Sequence, residues 1–448
     1  MIVSNERLIA KVSGQKVIAP SIYGDFDFDA VPERFTTEPG VRSQLHEHNR
    51  KADLIRDDLL ANKDIVDIIG AYTLVGDAVC DAYAALAPER YKVRELISML
   101  VAACERGVDE VPGAPPELVA FIRDMERVPD GINMALIEEG ARRKRNQVGH
   151  VYPYVIQVGL LGTYLNVYTA LPMALTGSLA TKGARRRILE TINYEAVTLL
   201  PGALDRYGEG FKISAMVRLM HSMVRKNLLR SGKWDPAVYG VPIPQIDQLS
   251  AGMVMEASLA RKALSKGRTT FTRAEQAQVE CARYRAYLLG VPEDLLPGTP
   301  RELVTMMDTR MATVRERFDD RICSGLMKAT LEADLAPNDR WVSRIRQSLS
   351  ITLGKWFFTN FYMRGDKAAA EAVFGVKNTP ADRVRLPLAV IWVLGRAAVL
   401  GTAQNIPVIG RLADTILVWQ LKRVTKRCGH GEYVSDASGY APVEKAAG

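Results

Sequence analysis

The sequence predicts an all-α protein, built mainly as one large helical domain. Three observations carry this. Apolar residues recur at helical steps, as in Leu54, Ile55, Leu59, Leu60, Ile65, Ile68 and Ile69, and again in Leu96, Ile97, Leu100 and Val101. No sustained period-two alternation occurs, and no Asn-Gly or Asp-Gly pair sits between β-branched runs. Of 448 residues, 48% are hydrophobic and 25% charged, which is an ordinary globular composition. A chain this long buries a large core without disulfide or metal staples.

In chain order, residues 1–40 read as loops and a mostly irregular N-terminal arm, with Gly24 to Asp29 and three prolines breaking any period. Residues 41–427 carry the helical domain. It is punctuated by Pro112, Pro115 and Pro116, by Pro129-Asp130-Gly131, and by Pro292, Pro297 and Pro300. Residues 428–448 are rich in Gly, Ser and Ala and read as a flexible tail. No fixed-period repeat is present.

The net charge is +8, yet basic residues are dispersed apart from Arg142 to Arg145, Arg185 to Arg187 and Lys422 to Arg427. Interleaved acids argue for a solvated or membrane-facing surface and against a nucleic-acid partner. The five cysteines are an odd count with no CxxC pair, which points to a reducing compartment. Met1 to Asp25 shows no sustained apolar run, so a cytoplasmic location is expected.

Val151 to Thr181 contains no Asp, Glu, Lys or Arg and is long enough to cross a bilayer. Pro153 and Pro172 interrupt it, Gln157 and Asn166 dilute it, and basic residues flank both ends. A buried helix pair is therefore expected instead of a span. Leu386 to Gly395 gives only ten residues before Arg396, too short to span. Peripheral contact with a membrane stays open for both segments.

Two helices concentrate the chemistry. Phe211 to Leu229 lacks Gly and Pro and reads as one helix, with Val217, Met220, Val224 and Leu228 on one apolar face. His221 follows Arg218 by three residues and precedes Arg225 by four, so the three share the adjoining face. An imidazole among Leu219, Met220 and Met223 suits an axial haem-iron ligand, and an arginine one turn away suits a haem propionate. A hydrogen-bonded core histidine beside surface arginines accounts for the same spacing. In Gly183 to Val197, Arg187, Glu190 and Thr191 stack on one face. They suit a bound dioxygen or a propionate, and a surface Arg187–Glu190 ion pair is the plainer reading. His46-Glu47-His48 lacks the HExxH spacing of a zinc helix, Gly208-Glu209-Gly210 is not a phosphate loop, and no GxSxG elbow occurs.

Taken together, these helices and their neighbours resemble a known family. The carrying residues are Thr176-Gly177, Arg186 to Thr191, Pro201 to Leu204, Val217 to His221 with Val224-Arg225, Trp234-Asp235, and Gly240 to Asp247. Tyr287 to Val291 and Leu295 to Pro297 fit the same pattern, and Gly76-Asp77 and Val128 to Asp130 fit more loosely. In order and spacing they are similar to the catalytic domain shared by rubber oxygenases (latex clearing proteins) and the fungal ER-bound oxygenase of mycophenolic acid synthesis. The likeness covers roughly residues 70 to 300 and extends toward residue 400.

That resemblance implies an all-α fold around a b-type haem, with dioxygen chemistry on a long apolar, isoprenoid or lipid substrate. It implies His221 as the proximal iron ligand with Arg218 beside it, and Arg187 and Thr191 in the haem pocket. Rubber oxygenases carry a lysine, able to act as a distal ligand, where this chain has Glu190. With dioxygen or substrate expected near them, Glu190, as an acid or base, and Thr191 are the catalytic candidates. No acid occurs in Tyr164 to Thr181, where a rubber oxygenase places one, and Ala282 lies where a tryptophan is expected. Three functions follow: a haem-dependent oxygenase, a haem-binding sensor or carrier, and a membrane-associated helical scaffold without cofactor.

Overall fold

The structure is a computed structural model that describes residues 5–48, 51–150, 160–179, 181–336 and 338–428. Helices succeed one another from Glu6 to Cys428. Among the described residues, extended pairing is confined to two isolated bridges, Phe35–Val314 and Ser43–Arg315. The chain is all-α. The tail from 429 onward lies outside the described residues.

The N-terminal arm holds a helix that the sequence leaves in loops. Glu6–Ile18 is capped by Asn5, whose side chain accepts from the Arg7 N–H, and it buries Leu8, Val12 and Gln15. Buried Gln15 donates to the Leu74 carbonyl and accepts from the Gly76 N–H. A stripe anchored by two apolar residues and a glutamine is too thin to register as periodicity.

The helices fall into two compact units that interleave along the chain. The first is residues 1–140 with 202–316, and the second centres on 141–201 with 317–432.

In the first unit, Glu209–Arg230 runs for 22 residues and packs on Ala78–Ala85 and Val93–Arg106. Val217, Met220, Val224 and Leu228 are buried, as their spacing predicts. Leu219 and Met223 are buried too, so the helix is enclosed on most sides. Gln245–Ser265 packs against Pro300–Thr313 and Arg273–Leu288. Capping boxes, Thr272 with Glu275 and Thr299 with Glu302, start the latter two helices.

In the second unit, Thr181–Val197 lies against Ile409–Cys428, where Ile188 and Ile192 meet Val424. Trp341–Phe357 packs on Pro380–Val390 through Leu349, Leu353, Ala389 and Val393. Of the uncharged Val151 to Thr181 stretch, residues 151–159 and 180 lie outside the described set. The remainder is buried at Leu161, Tyr164, Tyr168, Leu171 and Leu175, as a core helix would be.

Two expectations change here. The Arg142 to Arg145 run is not a surface patch. Arg145 is buried, donating to the Leu199 carbonyl and to Asp414, and Lys144 is buried as well. Leu386 to Gly395 is only part of a continuous 24-residue helix, Pro380–Ala403, which by length and composition alone is sufficient to cross a membrane. Arg396 ends the uncharged run but not the helix, which continues to Ala403.

Candidate functional site

His221 sits midway along Glu209–Arg230, in the first unit. The Gln248 amide nitrogen lies 3.2 Å from its Nδ1. Turned with its oxygen inward, that carboxamide accepts an Nδ1–H and leaves Nε2 with the lone pair a metal needs. Neighbouring Met220 and Met223 give the segment an apolar, polarisable surround. Gln248 thus orients the His221 ring, and the way its carboxamide is turned sets the tautomer.

Arg218 is not a surface arginine. Its Nε and Nη2 donate to the two Asp77 oxygens at 2.7 and 2.8 Å, and Nη2 also donates to Asp124 at 2.9 Å. The guanidinium stacks 4.9 Å from the Phe121 ring. Burial, the largest single effect, would lower its pKa, but the charge of Asp77, its hydrogen bonds and the Asp124 charge together outweigh this and hold it above the ordinary arginine value. Two of its three nitrogens are therefore committed to carboxylates, and only buried Nη1 has no hydrogen-bond partner among the described residues. The geometry describes a fold-holding arginine better than a propionate anchor.

Arg225 behaves the same way. It pairs with Asp81 and donates to the carbonyls of Pro242 and Ile243 at 3.0 and 2.9 Å. Tyr23 donates its hydroxyl to the other Asp81 oxygen at 2.5 Å. Burial pushes the Asp81 pKa up, and Arg225 opposes it without cancelling it. Asp247 accepts from Arg34 at 2.9 Å and Arg310 at 2.7 Å, and these two arginines overcome burial to hold it below the usual carboxylate range.

The motif glycines fit around these pairs. A Cβ on Gly290, at φ +89°, would lie 2.6 Å from Asp77 Oδ2 and 2.9 Å from Arg218 Nε. A Cβ on Gly76 would run into the Tyr23 hydroxyl and lie 2.7 Å from Arg225 Nε. Gly76-Asp77, Val217 to Arg225, Gly240 to Asp247 and Tyr287 to Val291 are thus joined by buried charge. Asp81, Asp124 and Gln248 complete this network and were not singled out in the sequence, because a carboxylate or amide on an unremarkable helix announces no partner on another helix.

Arg187, Glu190 and Thr191 belong to the second unit, on Thr181–Val197. Arg187 Nη2 lies 3.5 Å from Thr176 Oγ1, at the turn where Gly177 takes φ +88°. Thr191 donates to the Arg187 carbonyl at 2.9 Å, the back-bond usual for a mid-helix threonine. Glu190 has Arg186 at 3.8 Å as an ion-pair partner, one turn away, in place of the Arg187 expected from spacing. The three thus share a helix, while the acid leans to a different guanidinium.

His150 is a candidate that helix-face reasoning missed. It is 5% exposed, and its Nε2 has no hydrogen-bond partner among the described residues. Burial, aided by Arg396, drives its pKa down to about 4, so the ring is neutral at physiological pH. No sequence signal marks it, since it closes a polar helix. His46, by contrast, is occupied by Ser43 and by Asp53 at 3.2 Å. Among the described residues, no group of three or more His, Cys, Asp or Glu could hold a metal ion. A haem needs only one protein ligand, so that clustering bears on other metals.

Comparison with known proteins gives one family match. Residues 147–398 match the model described as "ER-bound oxygenase mpaB/B'/Rubber oxygenase, catalytic domain". No curated protein sequence matches significantly. Among solved structures, the chain is similar to latex clearing protein in its closed state, at 17% identity and TM-score 0.47, covering 79% of this chain and 91% of that one.

Proposed function

The chain belongs to the ER-bound oxygenase and rubber oxygenase catalytic-domain family, and from that premise we propose that it is a haem-dependent oxygenase acting on an apolar substrate of the isoprenoid or lipid class. The observation that carries the proposal is His221, with Gln248 placed to fix its ring. In this reading His221 Nε2 holds the iron of a b-type haem, and Gln248 sets the tautomer and orientation. Bound haem supplies the dioxygen activation that amino-acid side chains lack.

The chain's own residues orient and shield. Asp77 and Asp124 hold Arg218, which steadies the helix turn preceding His221, so Arg218 acts as a positioning residue. On Thr181–Val197 in the second unit, Arg187, suited to a carboxylate, and Thr191 and Glu190, suited to hydrogen-bond substrate or dioxygen, are proposed as a separately testable group. Glu190 would hold or move a proton, with Arg186 3.8 Å away as its ion-pair partner.

A haem carrier without turnover is the second reading, favoured by the lack of any acid in Tyr164 to Thr181, where a rubber oxygenase places one. Oxygen uptake by haem-loaded protein on prenyl lipids separates the two. The proposal expects substrate-dependent uptake that His221→Ala abolishes. Stoichiometric haem with no uptake on any apolar substrate would leave the carrier.

A further inference from the structure

The second unit carries an apolar surface that its own packing does not require. Ile409–Cys428 has two apolar stripes. Ala413, Leu417 and Leu421 face inward and are buried, as any core helix requires. Ile409, Leu412, Ile416 and Trp419 repeat at three- and four-residue steps along the opposite side and are exposed, Leu412 at 63% and Trp419 at 55%. Pro380–Ala403 repeats the design. Ala389 and Val393 pack inward on Leu349 and Leu353, while Val384, Leu388, Ile391 and Val399 point out, Val384 at 72% and Ile391 at 69%. A folded chain gains nothing in water from such second stripes.

Charge identifies what covers them. Residues 380–428 contain eight Lys or Arg and two Asp. Both acids are engaged within the unit, Asp382 by Thr352 and Lys355, and Asp414 by Arg145. All eight cations are exposed. Tryptophan placement agrees: of five in the chain, Trp341, Trp356, Trp392 and Trp419 are exposed, all in this unit, and Trp234 is buried. Arg423 sits 4.5 Å over the Trp419 ring and Arg396 5.0 Å over Trp392. Apolar ridges bordered by tryptophan and unopposed cations match the hydrocarbon boundary and anionic headgroups of a bilayer.

We propose that the outward faces of Pro380–Ala403 and Ile409–Cys428 dock this protein in the plane of an anionic lipid bilayer, with the apolar stripes entering one leaflet. Docking in the plane follows from the neighbours of Pro380–Ala403. Its inner side is fixed to Trp341–Phe357, which carries exposed Arg344 and Arg346, and Arg396 interrupts the apolar run. Surrounding that helix with hydrocarbon would bury those charges. A surface of this kind would bring an oxygenase to substrate dissolved in membrane, but the docking itself does not depend on the haem reading.

Flotation of the full chain with phosphatidylcholine vesicles, with and without about a third phosphatidylserine, tests the proposal. The expected result is at least tenfold more protein floating with the anionic vesicles, falling steeply in 0.5 M salt, with a blue shift of tryptophan emission. Ile391→Glu/Leu412→Glu should lose that binding at least tenfold with an unchanged circular dichroism melt, while Val254→Glu, an exposed apolar position in the first unit, should bind as wild type. If the double variant misfolds, quenching of wild-type tryptophan by brominated lipid serves in its place and is expected only with anionic vesicles. Three results would overturn the proposal. One is wild-type protein that stays unbound on both vesicles. Another is a lipid-free dimer that Leu412→Glu dissociates, which would make the face a contact between copies. The third is protein that resists extraction from membranes by carbonate, which would indicate a span.

Discussion

Replacing Arg218 separates a role in the fold from a role in holding a cofactor. Its side chain is 2% exposed and that of Asp77 6%, with two hydrogen bonds of 2.7 and 2.8 Å between them. Removing one partner of a buried ion pair costs about 3–5 kcal/mol, because the other charge stays buried without compensation. Asp124 is 30% exposed, so water rehydrates it and its share is below about 1 kcal/mol. Losing the stack on Phe121 adds roughly 0.5–1 kcal/mol. Arg218→Met should therefore lower the unfolding free energy by about 4 kcal/mol, read by urea titration of protein prepared without haem. Asp77→Leu should cost a similar amount. The double variant should fall short of the sum by at least about 2 kcal/mol, since the second change removes a charge already stranded. An Arg218→Met protein with the wild-type urea midpoint but weakened haem binding would refute the reasoning and restore the guanidinium as a cofactor anchor.

Gly290→Ala should destabilise the same network by about 2–4 kcal/mol, from a left-handed φ and a Cβ driven against Asp77 and Arg218, visible as a lowered urea midpoint. Gln248→Leu should leave the fold intact and weaken haem affinity about 10- to 100-fold, measured by haem titration, because His221 loses the partner that fixes its ring. His150 sets a pH dependence. Its folded pKa of about 4 lies below the ordinary 6.5, so protons bind the unfolded chain first. Stability is full above pH 6.5 and declines as pH falls toward 4, by up to about 2–3 kcal/mol. His150→Leu should flatten that slope between pH 7 and 5 in paired urea titrations, and an unchanged slope would count against the buried neutral ring.

The helical class was legible because burial of one face imposes a period on sequence, as Leu96, Leu100, Val224 and Leu228 illustrate. Leu54 shows the limit of that signal, since it keeps the period yet is exposed. His221 was legible as a candidate because its helix is long, unbroken and apolar around it. The partners of Arg218 and Arg225 were not, because Asp77 and Asp81 meet them only through tertiary packing, and one-dimensional spacing reads both arginines as surface charges. The outward stripe on Ile409–Cys428 was hidden for a related reason. Two opposed apolar stripes separated by cations average to an unremarkable helix, and only the structure tells inside from outside.

The central claim is that His221 holds a haem. The most direct measurement is the visible absorbance spectrum of the full chain purified from haem-sufficient cells, beside His221→Ala. The account expects about one haem per chain with a strong Soret band, lost or shifted in the variant. A wild-type protein that is colourless and remains so on titration with haem would contradict it.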